Sequence, residues 1–272
     1  MSWSKRVLDS VGVVIVSIGM LCLGLAIGTQ IAPIPTALGL ASAYQEVGQF
    51  DLLNDGLVRQ KVAAAEKPIE PDIRIPPVAG GRVPVIHRID TKQSVVFLTI
   101  DDGNYKDQSV IAAMKHHKLK ATLFLADLFI AHNPTFFNAL IEQGSVVENH
   151  TVGHDLSMIK HPYGYQRNEI CRMNDIAASY YGTRPTLFRP PGGRYNHDTE
   201  RAVADCGLRA TVMWTARIQN GAIEYQDGRT ALRPGDVVLM HFRPEFVRDI
   251  EAFVAAKNAA HLKVDVLERW IR

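Results

Sequence analysis

The sequence predicts an α/β fold: a distorted, incomplete (β/α) barrel of about seven parallel strands, preceded by an N-terminal transmembrane or signal segment. Three observations predict it. From about Val85, short runs rich in Val, Ile, Leu and Phe alternate with longer amphipathic stretches, the pattern of right-handed crossovers and a parallel sheet. Residues 85–272 are too few for a standard eightfold barrel, which takes about 250. Finally, most of the strand candidates end in a residue that carries chemistry, which core packing does not require.

The first 45 residues stand apart. Lys5, Arg6 and Asp9 are followed by no charge until Glu46, and Val11–Ile27 is an unbroken apolar run at the short end of what spans a bilayer. Basic residues before an apolar core describe a signal peptide or a signal anchor. A small-x-small cleavage pattern, Ala41-Ser42-Ala43, lies well beyond the run, which favours an uncleaved anchor over residues 1–43. Either reading puts Tyr44 onward outside the cytoplasm. Residues 44–84 read as a linker, with Pro68, Pro71, Pro76, Pro77 and Pro84 favouring an extended spacer. The domain that carries the chemistry is residues 85–272.

Within that domain the strand candidates are Val95–Asp101, Ala121–Ala126, Val146–His150, Thr186–Arg189, Ala210–Trp214, Val237–His241 and Leu262–Val266. Helix candidates fill the gaps at Asp107–His117, Pro134–Gln143, Gln166–Tyr181, Asp198–Asp205 and Pro244–Ala259, with entry signals such as Asn133-Pro134 and Asn196-His197-Asp198. Apolar residues make up 47% of the 272 and charged ones 21%, ordinary for a globular chain. Thirty basic against 28 acidic residues, with no basic cluster, exclude a nucleic-acid binder working through bulk charge. Cys22 sits in the apolar run; Cys171 and Cys206 could pair in an oxidising compartment or stay as buried thiols, and spacing does not decide.

Asp101-Asp102, His150, Arg189, Trp214 and His241 close separate strand candidates, and in a (β/α) barrel such ends converge on the face that holds the active site. His150 and His154 are four apart, so in a helical turn both imidazoles face one way and can share a metal. Two histidines at this spacing are more commonly surface or capping residues. With Asp102 added, the set becomes two histidines and a carboxylate with an open position, as catalytic zinc uses. Asp101 and Asp102 would point to opposite sides of a regular strand, so both reach one centre only if the strand has given way to a turn, which Gly103 permits. One carboxylate would then bind metal and the other act as a base.

Thr99-Ile100-Asp101-Asp102-Gly103, His150-Thr151-Val152-Gly153-His154, Arg189-Pro190-Pro191-Gly192 and Leu239-Met240-His241, in that order, resemble the polysaccharide deacetylase family (carbohydrate esterase family 4, the NodB-homology domain). The resemblance covers about Val95 to His241. It implies a distorted (β/α) barrel and metal-dependent removal of acetyl groups from N-acetylated sugars. It implies Asp101 as catalytic base, Arg189 as the residue orienting it, His241 as general acid, and Asp102, His150 and His154 as metal ligands. Pro190, Gly192, Tyr195 and Trp214 are expected to contact substrate. The metal expected is zinc, with cobalt or nickel acceptable to the same donors.

The departures from the family pattern are Ile100 and Asn104 in the first motif, Gly192 where an aromatic is common, and the stretch after Trp214. There Thr215-Ala216-Arg217-Ile218-Gln219-Asn220-Gly221 lacks both acidic residues and the second tryptophan, one aspartate being the usual support of the catalytic histidine. The expected substrate is an extracellular N-acetylated polysaccharide, cell-wall peptidoglycan or chitin-like oligomers. An O-acetyl esterase on xylan-like polymers and an inactive, membrane-anchored carbohydrate-binding protein are the alternatives. The expected location is the cell membrane through the N-terminal segment, with the domain outside, or secretion if the segment is cleaved.

Overall fold

Strand β2 (Val95–Asp102) sets the architecture, because all eight of its residues are buried. A continuous apolar run of this kind belongs to a strand covered on both faces. Val95 and Phe97 face one core with Phe124, Leu187, Val237 and Trp270. Val96, Leu98 and Ile100 face another with Leu123, Leu125, Val238, Met240 and the helix residues Phe246 and Phe253. The first core fills the concave interior of a curled sheet, and the second lies between the sheet and its outer helices.

The computed structural model describes residues 69–71 and 78–271. The apolar run and residues 1–43 lie outside the described residues, as does most of the linker. The chain divides at Lys67/Pro68, and the fold described is that of the second unit. Among the described residues no helix is long and apolar enough to cross a membrane. Ile69 packs on the interior core, and its carbonyl accepts from Arg269 Nη2 at 2.8 Å.

The sheet contains β1 (Val85–Ile86), β2, β3 (Thr122–Leu125), β4 (Val146–Asn149), β5 (Leu187–Phe188), β6 (Ala210–Val212), β7 (Ala216–Gln219), β8 (Ala222–Tyr225), β9 (Val237–His241) and β10 (Lys263–Asp265). Its order is β1-β6-β5-β4-β3-β2-β9-β7-β8, with β10 alongside the start of β2. The helices are α1 (Gln108–His116), α2 (Asp127–Ile130), α3 (Asn138–Glu142), α4 (Tyr163–Tyr181), α5 (His197–Asp205) and α6 (Phe246–Ala259). Asn196 begins α5 with a reciprocal capping box to Thr199. Cys171 on α4 and Cys206 after α5 form a disulfide.

All seven strand candidates are strands, several shortened by a residue or two. Two corrections follow from the topology. The sheet has ten strands rather than seven, and it is not wholly parallel, because β7 and β8 form an antiparallel hairpin. The hairpin turns at Asn220-Gly221, both with positive φ, where asparagine and glycine are the residues that tolerate it. The segment Ala210–Trp214 is also not one strand to its end: β6 stops at Val212, and the chain crosses to pair β7 with β9.

Candidate active site

Parallel registers place the carboxyl ends of five strands side by side. Asp101 of β2 is level with Phe124 of β3 and His241 of β9, while β3 pairs with β4 and β4 with β5. Beyond β4 and β5 come His150 and Arg189. Asp101 continues the inward row of Val95, Phe97 and Thr99. Asp102 belongs to the outward row, yet its φ of 79° swings it back towards the same centre. Such a φ is uncommon outside glycine. Gly103 follows with φ 89°, and a Cβ there would stand 2.7 Å from Ile130 Cγ2.

His150 and His154 do converge, but not on a helical turn as their spacing suggested. The segment is an irregular loop in which Thr151 (φ 72°) and His154 (φ 52°) are left-handed. Local hydrogen bonds hold it so. Asn149 Oδ1 accepts from Thr151 N at 2.9 Å, Thr151 Oγ1 from His154 N at 3.1 Å, and Glu169 from Gly153 N at 2.6 Å. Leu128 N at the start of α2 donates to Val152 O at 2.8 Å. His150 uses Nδ1 on Arg189 O at 2.7 Å, which leaves Nε2 pointing at Asp102 Oδ1, 3.5 Å away. His154 Nε2 lies 3.1 Å from the same oxygen, and its ring packs on Phe129.

Asp102, His150 and His154 each offer a donor atom within 4.8 Å of the others, so this set could hold a divalent metal. The chemistry of the donors fits as well as their spacing. Burial alone would raise the Asp102 carboxyl, but hydrogen bonds from both histidines outweigh it and keep the group ionised well below its ordinary range. Burial disfavours the His150 imidazolium, and the opposing pull of Asp101 and Asp102 raises it above its usual value.

Arg189 is wholly buried. It donates to Asp101 Oδ1 at 2.7 Å, to Thr99 Oγ1 at 2.8 Å, and to the carbonyls of Val212 and Met213. Its guanidinium carbon lies 4.3 Å from the Phe124 ring centroid and 5.7 Å from that of Trp214. A buried cation with all three nitrogens engaged and its countercharge aimed at the site fixes the orientation of Asp101. His241 is half-buried, and among the described residues its ring has no hydrogen-bond partner. Burial lowers its imidazolium first, with Asp101 and Asp102 pulling the other way.

The residues expected at the substrate behave unequally. Pro190 is buried under the site, whereas Gly192 is exposed with φ 62°. A Cβ on Gly192 would stand 3.1 Å from Leu156 Cδ2, so a leucine from the histidine loop occupies the space beside the missing aromatic. Trp214 is half-buried beside Arg189. Tyr195 makes no side-chain hydrogen bond among the described residues. Sequence reasoning missed Thr99, Asn149, Glu169 and Phe124. Thr99 and Asn149 left a trace, as polar residues inside predicted apolar strands.

Residues 88–211 match the polysaccharide deacetylase family. The chain is 39% identical over 156 residues to an uncharacterized protein of Streptomyces coelicolor, covering 57% of this chain and 62% of that one. It is 29% identical to a chitooligosaccharide deacetylase of Bradyrhizobium over 54% of this chain and 69% of that one. It is 25% identical to a peptidoglycan-N-acetylglucosamine deacetylase of Bacillus cereus over 58% and 76%. The chain thus spans less than two thirds of the Streptomyces coelicolor relative. A family 4 carbohydrate esterase of Streptomyces lividans solved with acetate superposes with a TM-score of 0.51 at 27% identity, over 61% of this chain and 91% of that one. A family 4 pseudoenzyme of Bacillus anthracis superposes with a TM-score of 0.59 at 20% identity, over 73% and 70%. The last likeness speaks to the fold alone.

Proposed function

We propose that this chain, whose residues 88–211 match the polysaccharide deacetylase family, hydrolyses acetyl groups from the N-acetylated sugars of an extracellular polysaccharide, cell-wall peptidoglycan or chitin-like oligomers. One observation carries the proposal: Asp101 and Asp102 of β2 meet His150, Arg189 and His241 from three other strand ends at one centre, with each carboxylate engaged differently. The names of the Bradyrhizobium and Bacillus cereus relatives support the substrate class.

Asp102, His150 and His154 would hold a divalent metal, zinc being our choice, which would supply Lewis acidity and ease the deprotonation of water. Asp101 takes the proton of the attacking water, and Arg189 keeps that carboxylate aimed. We assign the backbone N–H of Gly192 as donor to the developing oxyanion charge. As the C–N bond breaks, His241 gives its proton to the sugar nitrogen, because an unprotonated amine is a very poor leaving group. Acetate and a free amine result. Tyr195 and Trp214 wall the substrate, with Pro190 buried beneath. The disulfide and the basic-then-apolar N-terminus support a location outside the cytoplasm, anchored or secreted.

The test is acetate release from an N-acetylglucosamine oligomer and from peptidoglycan, with and without chelator. Release that chelation abolishes is the expected result. Oligomer binding without release would favour the binding-protein alternative, whose motive is the unpartnered His241.

A further inference from the structure

A cavity of about 240 Å3 is lined by Trp214, Arg217, Glu224, Tyr225 and Gln226, and four of these five residues have no part in the chemistry above. It belongs to the β7–β8 hairpin. One of its walls borders the catalytic centre. The Trp214 ring centroid stands 5.7 Å from the Arg189 guanidinium carbon, and Arg189 holds Asp101. Arg217 is in register with Leu239 of β9, two residues before His241.

The cavity is built rather than incidental. The Gln226 amide, oriented so that both its ends are satisfied, donates to Trp214 O at 2.8 Å and accepts from Trp214 Nε1 at 2.7 Å. The indole is thus fixed from its polar edge. Gly193 leaves it room, since a Cβ there would stand 2.8 Å from Trp214 Cη2. Arg217 and Glu224 face each other across the hairpin as an ion pair, with side chains 43% and 65% exposed.

The volume lies below the ~300–1,000 Å3 of drug-sized sites, so it suits one ring-sized group. Two aromatic side chains offer apolar planes, and the ion pair sets donors beside acceptors with its charges cancelled. An anion would meet Glu224 and a cation Arg217. An uncharged ring with C–H faces and hydroxyls on its edge satisfies both. We propose that this cavity is a subsite for an uncharged pyranose unit adjoining the sugar whose acetyl group is removed, with Arg217 and Glu224 as specificity-determining residues. That placement rests on the deacetylase reading; binding of the ring does not.

The test uses the full chain loaded with zinc, the N-acetylglucosamine tetramer as ligand, and an aryl acetate as a substrate too short to reach the hairpin. Arg217→Ala and Glu224→Ala should each weaken the tetramer by about three- to tenfold, the worth of one hydrogen bond. The loss should appear in KM rather than kcat and exceed the loss on the aryl acetate. Adding tetramer should change the tryptophan fluorescence, and Trp214→Phe should abolish the change. Unaltered tetramer affinity in both variants, or equal losses on tetramer and aryl acetate, would overturn the proposal. If the parent chain released no acetate yet bound tetramer in a manner weakened by Arg217→Ala, the deacetylase reading would fall and the sugar site would stand.

Discussion

Asp101 and Asp102 are neighbours of one chemical type with different surroundings. Asp102 meets two imidazoles, and Asp101 meets a buried guanidinium. Asp102→Asn should therefore strip zinc, as metal analysis of the purified variant would read. Asp101→Asn should keep zinc but lose about 10²–10⁴ in kcat, the usual worth of a general base. It should also destabilise the fold by about 3–5 kcal/mol, because Arg189 would be left buried without its countercharge. Loss of zinc from both variants would show the two carboxylates to be equivalent. His241 poses a different question. An amide's nitrogen needs a proton on leaving and an aryl oxide does not, so His241→Ala should cost about 10²–10⁴ on an N-acetyl sugar and little on an aryl acetate. Equal losses would make His241 a wall of the site rather than an acid.

At the scale of elements, β4 and β5 show how the interior is held open below the site. Only Asn149 and Phe188 pair across them. Lower down, the Glu148 carboxylate accepts from the N–H groups of Thr186 and Leu187 at 2.7 and 2.6 Å, standing in for ladder bonds. Glu268, in the 3₁₀ turn Leu267–Arg269, accepts from Thr122 Oγ1 at 3.1 Å and lies close enough to Glu148 for the two charges to repel. Burial raises both carboxyls, with Glu148 well above its usual range and Glu268 at about 7. Folding thus binds protons. The stabilisation is full below the ordinary glutamate pKa of about 4.3 and is lost as pH rises through about 7. Denaturant midpoints should fall between pH 5 and pH 8, and Glu268→Gln should flatten that decline by on the order of 1–3 kcal/mol. An unchanged slope in Glu268→Gln would place the pH dependence elsewhere.

Across the whole molecule, the disulfide joins α4 to the end of α5 on the outside of the sheet, at a sequence separation of 35. Closing a loop of that size restricts the unfolded chain by about 3–4 kcal/mol. The double variant Cys171→Ser/Cys206→Ser should melt about 6–15 °C lower. Its zinc content should match the parent chain, because the proposed ligands sit on β2 and the loop after β4. A variant that melted unchanged would show that helix packing alone holds α4 and α5 together.

Much of this molecule was legible from local pattern, because a parallel strand buried on both faces writes its whole length in apolar residues. The seven strand candidates, their order and the polar groups at their carboxyl ends needed no more than that, and Arg189 and His241 stood out as charges ending apolar runs. Tertiary structure decided what depends on backbone handedness and on partners far along the chain. The left-handed Asp102 turns an outward residue inward, and the loop from His150 to His154 owes its shape to Asn149 and to Glu169 on α4. The β7–β8 hairpin was hidden because Arg217, Gln219, Ala222 and Glu224 give its strands no apolar run. Its register comes from β9, and no window of local sequence contains that strand.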